Sequence, residues 1–214
     1  SKHHTLQNQL QDSRVDYQIG DIREPESIRY ALRGIDYVFH AAALKHVPAS
    51  ESNPIEYTKT NVFGSHNLLL ELSKSEVKSA VFLSTDKAVY PVNAMGMSKA
   101  LMEKLVRSSC YLGGTTSCIT RYGNVVGSRG SVIPLFIENI KKSKPIHITD
   151  WDMTRFIMSL DDSVDLVLFA LNNGNQGDLF VQKAPAANLK TILAALEILL
   201  GKKAHEVYIS GVRP

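Results

Sequence analysis

The chain has 214 residues, 44% of them hydrophobic and 21% charged, with a net charge of +3. That balance is ordinary for a globular domain and too weakly basic to argue for a nucleic-acid partner. No apolar run approaches the roughly 18 residues of a membrane span, and no basic start leads into an apolar core, so neither a membrane segment nor a signal peptide is expected.

The length suits one domain with a small appendage, able to bury roughly 70% of its unfolded surface. The two cysteines, Cys110 and Cys118, flank a short turn without metal-type spacing. They read as reduced thiols of a cytoplasmic protein. Lys141, Lys142 and Lys144 read as a solvated helix end.

In chain order, short apolar runs alternate with helical patterns. "VDYQI" (15–19), "DYVFHAA" (36–42), "AVFLS" (80–84), "SCITRY" (117–122) and "DLFVQ" (178–182) read as strands. "PESIRYALRG" (25–34) reads as a helix with proline in its first turn and glycine at its end, and a longer helix runs from Pro54 to about Ser75. Further helices begin near Ala94, Val132, Asp161 and Asn188. Strands apolar on both faces, each followed by a helix, predict an α/β fold: a Rossmann-like doubly wound parallel sheet. Residues 1–144 form its dinucleotide-binding part. Residues 145–214, mostly a small C-terminal substrate-binding lobe, send some elements back to the main sheet.

A dinucleotide-binding sheet normally opens with a strand and a Gly-rich turn that seats a pyrophosphate on a helix N-terminus. No G-x-G-x-x-G occurs here; "GNVVGSRG" (123–130) has neither the spacing nor the position. The first ten residues read as the end of a second strand running into a helix. The expectation is that an N-terminal strand and its turn are missing from this sequence.

Polar residues gather just beyond the predicted strands, where ligands collect in such sheets. Asp21 in "GDIREP" offers a carboxylate to an adenine amino group, or caps the helix that begins at Pro25. The small residues of "HAAALKHVP" (40–48) let a cofactor approach the backbone, although tight packing alone reads the same. Lys45 and His46 beyond that strand are candidate ligand contacts, and His46 has no partner at metal-ligand spacing, so no metal site is expected. "LSTDKA" (83–88) is the most informative segment. Ser84 or Thr85 suits a sugar hydroxyl, Asp86 a general acid, and Lys87 a base if its pKa falls from about 10.4 towards 7–8. The plain alternative is a solvated loop with an incidental Asp–Lys pair. Asn124 in "RYGNVVGSRGSVIP" (121–134) is a candidate for a sugar or phosphate contact. Arg155 and Arg213 each suit a diphosphate, or simply the surface.

Taken together, "GDIR", "HAAALKHVP", "TNVFGSHNLL", "STDKA" with "NAMGMSKA", "RYGNV" and "DMTRF" resemble the extended short-chain dehydrogenase/reductase superfamily. More narrowly they look like the UDP-N-acetylglucosamine 4,6-dehydratases of capsule and O-antigen synthesis, the branch that inverts C5. The resemblance implies a lyase, NADP as cofactor, UDP-N-acetylglucosamine as substrate and a homo-oligomer. It implies that Lys99 binds the nicotinamide ribose, and that Asp21, Ile22, Ala41, Ala42, Ala43 and Val125 line the cofactor. Ser1 and Lys2 match a pair that holds a 2′-phosphate. Lys45, Ser84, Thr85 and Asn124 would touch the sugar nucleotide, with Arg155 and Arg213 at its diphosphate. Asp86 and Lys87 would be the acid and base of the elimination.

Met95 stands where the wider superfamily has a proton-moving tyrosine, four residues before Lys99. Tyr90 does not replace it from the same helical face, being nine residues before Lys99 and next to Pro91. Two rival readings remain: a sugar-nucleotide 4-epimerase or reductase, which needs Lys99 but not the Asp86–Lys87 pair, and a non-catalytic sugar-nucleotide-binding protein.

Overall fold

The computed structural model describes residues 6–211 except 8, 129 and 205. Ser1, Lys2 and Arg213 lie outside the described residues.

A four-stranded parallel sheet forms the centre, in the order β1 (Tyr37–His40), β2 (Ser79–Thr85), β3 (Thr116–Tyr122) and β7 (Leu179–Val181). Strand β2 is apolar on both faces because helices cover both. On one side Ala80, Phe82 and Ile119 pack against α1 (Pro25–Ala31), α4 (Gly64–Leu72) and α5 (Ala94–Ser108). On the other side Val81 and Cys118 meet Val167 and Ala170 of α7 (Leu160–Asn173). Each such large apolar side chain contributes roughly 1.5–3 kcal/mol through burial. The arrangement is the doubly wound α/β sandwich that the strand and helix patterns predict. Because the strands are parallel, the loops after β1, β2 and β3 all emerge at one end of the sheet.

Two short helices, α2 (Val47–Ser52) and α3 (Pro54–Tyr57), follow β1, and a π-helical insert, Thr58–Phe63, joins α3 to α4. The long helix predicted from Pro54 is therefore present with an irregular turn inside it. Helix α7 starts at Leu160, one residue before the expected Asp161: Ser159 is the cap, in a reciprocal capping box with Asp162. Asn188 caps α8 (Leu189–Leu200), as its position predicts.

A second core lies between α6 (Val132–Lys141) and α8, where Phe136, Ile140, Leu189, Ile192, Leu193 and Leu196 enclose the parallel pair β5 (Ile146–Ile148) and β9 (Val207–Ile209). Beside it, β6 (Thr154–Met158) pairs with β4 (Asn124–Val125) and with β8 (Ala186–Asn188).

One predicted strand is not formed. Residues 15–19 are irregular, with Ile19 almost fully exposed. The physical reason is pairing: a strand exists only where a neighbour completes its hydrogen-bond ladder, and none adjoins this run among the described residues. Among the described residues no strand pairs with the outer edge of β1, and Tyr37 and Phe39 on that strand are about half exposed. Between residues 18–22 and β1 lies a groove of about 710 Å³.

Candidate active site

The site is built at the C-terminal ends of β1 and β2 and on the first turns of α5. Strand β2 ends at Thr85, and Asp86–Ala88 form a single tight turn. Thr85 accepts from the Lys87 backbone N–H at 3.3 Å and donates its hydroxyl to Asp86 Oδ1 at 2.9 Å. The same carboxylate oxygen accepts from Lys87 Nζ at 3.0 Å. The pair is only partly covered, with 26% of the Asp86 side chain and 35% of the Lys87 side chain exposed. The lysine's bonded partner at the end of the strand is thus a carboxylate one residue away.

Helix α5 is docked tightly against this turn. Asn93 caps it by accepting from the Gly96 N–H at 2.8 Å, and the Ala94 N–H donates to Glu51 Oε1. A Cβ at Gly96 would lie 2.3 Å from the Lys87 carbonyl oxygen, so only glycine lets the helix approach so closely. Met95 is buried on this first turn. Tyr90, almost fully exposed and in a left-handed conformation, stands away from it.

Lys99 is 6% exposed, and its ammonium donates to the Met102 sulfur at 3.4 Å. Burial lowers its pKa to about 8, with Glu103 one turn away opposing the shift. His40, at the end of β1, is buried against Ser65 Oγ at 2.9 Å. Burial and, secondarily, the Lys99 charge push its pKa down to about 3, so it is a neutral ring at physiological pH.

The alanine run after β1 is held by a residue that the sequence reading overlooked. Asn61, fully buried in the π-helical insert, accepts from the Leu44 N–H at 2.8 Å. Its amide donates to the Leu44 carbonyl and to Ser98 Oγ, both at 2.9 Å. It thus fastens the loop 41–45 to the helix that carries Lys99. The sequence carries no sharp signal for it, because Asn61 is one polar residue among several in "TKTNVFGSHN".

The remaining candidates divide. Asp21, Ile22, Ala41 and Ala42 line the same 710 Å³ groove, and Ala43 adjoins it in sequence. Asp21 does not cap the following helix, whose N-cap is Glu24. Its carboxylate is taken by Arg23, at 2.6 Å, which lowers its pKa to about 2. Ile22 packs where a side chain on Gly64 would have to go, 2.8 Å from that Cβ position. Lys45 is exposed beyond the alanines. Ser84 points into the protein: it is 3% exposed and donates to Glu103 Oε1 at 2.5 Å. Asn124 and Val125 sit on β4, and the Asn124 side-chain oxygen is buried without a hydrogen-bond partner among the described residues. Arg155, on β6 beside them, is half-buried, bonds the Thr154 carbonyl and feels the charge of Asp86. No cluster of three or more metal-ligating side chains occurs among the described residues. No described helix is long and apolar enough to cross a membrane.

A nicotinamide dinucleotide fits part of this surface. The groove is lined by small alanines and by Asp21, which Arg23 holds, and His40 at the strand end feels the charge of the buried Lys99. No pyrophosphate-seating glycine turn follows a strand along it among the described residues.

Comparison with known proteins agrees with this architecture. The chain belongs to the family described as "Polysaccharide biosynthesis protein", matched over residues 1–214. It is 53% identical over 207 residues to a UDP-glucose 4-epimerase of Rickettsia akari, covering 95% of this chain and 60% of that protein. The chain spans about 60% of the length of the curated relatives it matches. Among solved structures it is similar to Pen from Bacillus thuringiensis, with a TM-score of 0.94 and 37% identity, covering 99% of this chain and 66% of that one. It also matches the dTDP-glucose 4,6-dehydratase DesIV of Streptomyces venezuelae, solved with NAD and TYD bound. There the TM-score is 0.89 at 25% identity, covering 99% of this chain and 71% of that one. The fold is that of the extended short-chain dehydrogenases/reductases, within the grouping of sugar-nucleotide dehydratases and epimerases.

Proposed function

We propose that this chain carries the chemistry of a UDP-N-acetylglucosamine 4,6-dehydratase that inverts C5, serving capsule or O-antigen synthesis in the cytoplasm. The observation that supports it is the Lys87–Asp86 pair, bonded at 3.0 Å at the end of β2 and a few residues before the Lys99 helix. An epimerase needs to move only the C4 hydrogen; an acid and a base in contact suit an elimination.

The reaction is redox-neutral. A bound nicotinamide, read as NADP, supplies hydride acceptance from C4 and its return at C6. The 4-keto group acidifies the C5 proton. Lys87 Nζ takes that proton as a neutral amine, while Asp86 as a carboxylic acid gives its proton to the departing C6 hydroxyl, which leaves as water. The step returns the pair to ammonium and carboxylate. One proton moving along the Nζ–Oδ1 hydrogen bond then regenerates amine and acid with no change in net charge. Inversion needs reprotonation from the opposite face of the ring, by a donor other than Lys87.

Lys99, in this reading, holds the nicotinamide ribose. With its pKa near 8 it is also suited to help the C4 hydroxyl lose its proton where Met95 cannot. Thr85, Asn124 and Lys45 contact the sugar nucleotide, and Arg155 meets its diphosphate. The segment 145–214 acts mostly as the substrate lobe of a homo-oligomer.

The relatives named UDP-glucose 4-epimerase favour a second reading, sugar-nucleotide 4-epimerisation. Incubation with UDP-N-acetylglucosamine and NADP in deuterated water separates the two. A 4-keto-6-deoxy product carrying deuterium at C5 supports dehydration. An epimer without solvent label overturns it.

A further inference from the structure

Glu103 sits one turn beyond Lys99 on α5, at the i, i+4 spacing from which a carboxylate can pair with an ammonium. Both groups are buried, where such a pair would attract strongly. Yet among the described residues no ion pair joins them. The carboxylate is turned the other way. Its Oε1 accepts from Arg121 Nε at 2.8 Å and from Ser84 Oγ, and its Oε2 accepts from Arg121 Nη2 at 2.6 Å. Ser84 and Arg121 are aligned partners on β2 and β3, so both reach the face of the sheet that α5 covers. The fork of the guanidinium satisfies both oxygens at once, which a lysine cannot do. Among the described residues the Lys99 ammonium donates to the Met102 thioether, a weak acceptor.

We propose that Arg121 is a positioning residue for Lys99, acting through Glu103: by occupying both carboxylate oxygens it withholds the counter-charge that Lys99 would otherwise take. The consequence is a lysine free to exchange its proton near neutrality instead of one locked in a buried ion pair. Burial dominates at Lys99 and Glu103 opposes it only in part. Among the described residues His40 from β1 also feels the Lys99 charge, and it is neutral throughout the range in which Lys99 titrates. The inference concerns the charge state of Lys99 and holds for either reaction above. Only the use of that charge state rests on the proposed function.

The test reads Lys99 directly. The chain is labelled with ¹³Cε-lysine, the Lys99 resonance is assigned by its loss in Lys99→Arg, and its midpoint is followed by NMR. In Arg121→Gln the Lys99 midpoint should rise, cutting the neutral fraction at pH 8 about tenfold or more. In Glu103→Gln it should fall. In the double variant the loss of Arg121 should change the neutral fraction by less than about threefold relative to Glu103→Gln alone, because nothing remains for Arg121 to withhold. A folded Arg121→Gln chain with an unmoved Lys99 midpoint overturns the proposal. If that variant does not fold, the double variant decides: a tenfold change there means that Arg121 acts on Lys99 without Glu103, and the proposal fails. A dehydratase assay on the same variants is a separate readout, so failure of the proposed reaction leaves the titration result intact.

Discussion

Lys87 Nζ donates to Asp86 Oδ1 across 3.0 Å, and Thr85 Oγ1 donates to that same oxygen from 2.9 Å. Both donors meet one carboxylate oxygen and the pair is a salt bridge, so a proton must pass from Nζ to that oxygen before Lys87 can act as a base and Asp86 as an acid. Lys87→Ala should lower dehydration by roughly 10²–10⁴-fold and abolish deuterium entry at C5, whereas Asp86→Asn should slow loss of the C6 hydroxyl more than exchange at C5. Mass spectrometry of product and of recovered sugar nucleotide checks both. Full activity in Lys87→Ala removes the lysine from the mechanism.

Met95 fills a buried position one turn before Lys99. Replacing it with tyrosine adds volume and a hydroxyl that needs a partner, at a cost of about 1–3 kcal/mol in stability. If Lys99 already assists the first proton, activity should change by less than about tenfold, roughly 1.4 kcal/mol. A gain of several hundredfold in steady-state rate would show that methionine is a defect here.

Much of this was legible because it depends on neighbours in sequence. The apolar runs that became β2, β3 and β7, and the cap at Asn188, are local signals. So is the crowding of polar residues after β2. The misses depend on what lies across space. Residues 15–19 have the composition of a strand, but a strand is a property of two segments, and among the described residues no second segment pairs with them. Ser84 and Thr85 were both assigned to the substrate, although adjacent strand residues point to opposite faces. The structure sends Ser84 to Glu103 under α5. Asn61, Glu103 and Arg121 escaped notice because each acts through a partner 17 or more positions away.

His40 makes a pH-dependent contribution whose sign is fixed by its depressed pKa. The folded value is about 3 against 6.5 for the free side chain, so between these pH values the unfolded chain binds the extra proton. Stability should therefore fall as pH drops from 6.5 towards 3, at up to about 1.4 kcal/mol per pH unit from this group. The carboxylates of Asp21 and Glu71, also depressed to about 2, add to the loss at the acid end. Urea titrations of the native chain and of His40→Asn at pH 7, 6 and 5 isolate the histidine. The native chain should show the steeper decline, and parallel curves would contradict the assignment of a neutral buried ring.

Gly96 offers the sharpest test of how the helix and the acid–base turn are coupled. A methyl group there would meet the Lys87 carbonyl oxygen at 2.3 Å and the Pro91 ring at 3.1 Å. The first obstacle is backbone, which cannot rotate aside, so either α5 tilts away or the Asp86–Ala88 turn moves. The strain should cost about 1–3 kcal/mol, lowering Tm by about 2–4 °C for each kcal/mol in a domain of this size. Because the displaced carbonyl belongs to Lys87, activity should suffer beyond the loss of folded protein. Assayed well below Tm, Gly96→Ala should retain less than about a tenth of the dehydration rate. Undiminished activity would mean that the turn and the helix are not held in the register described here.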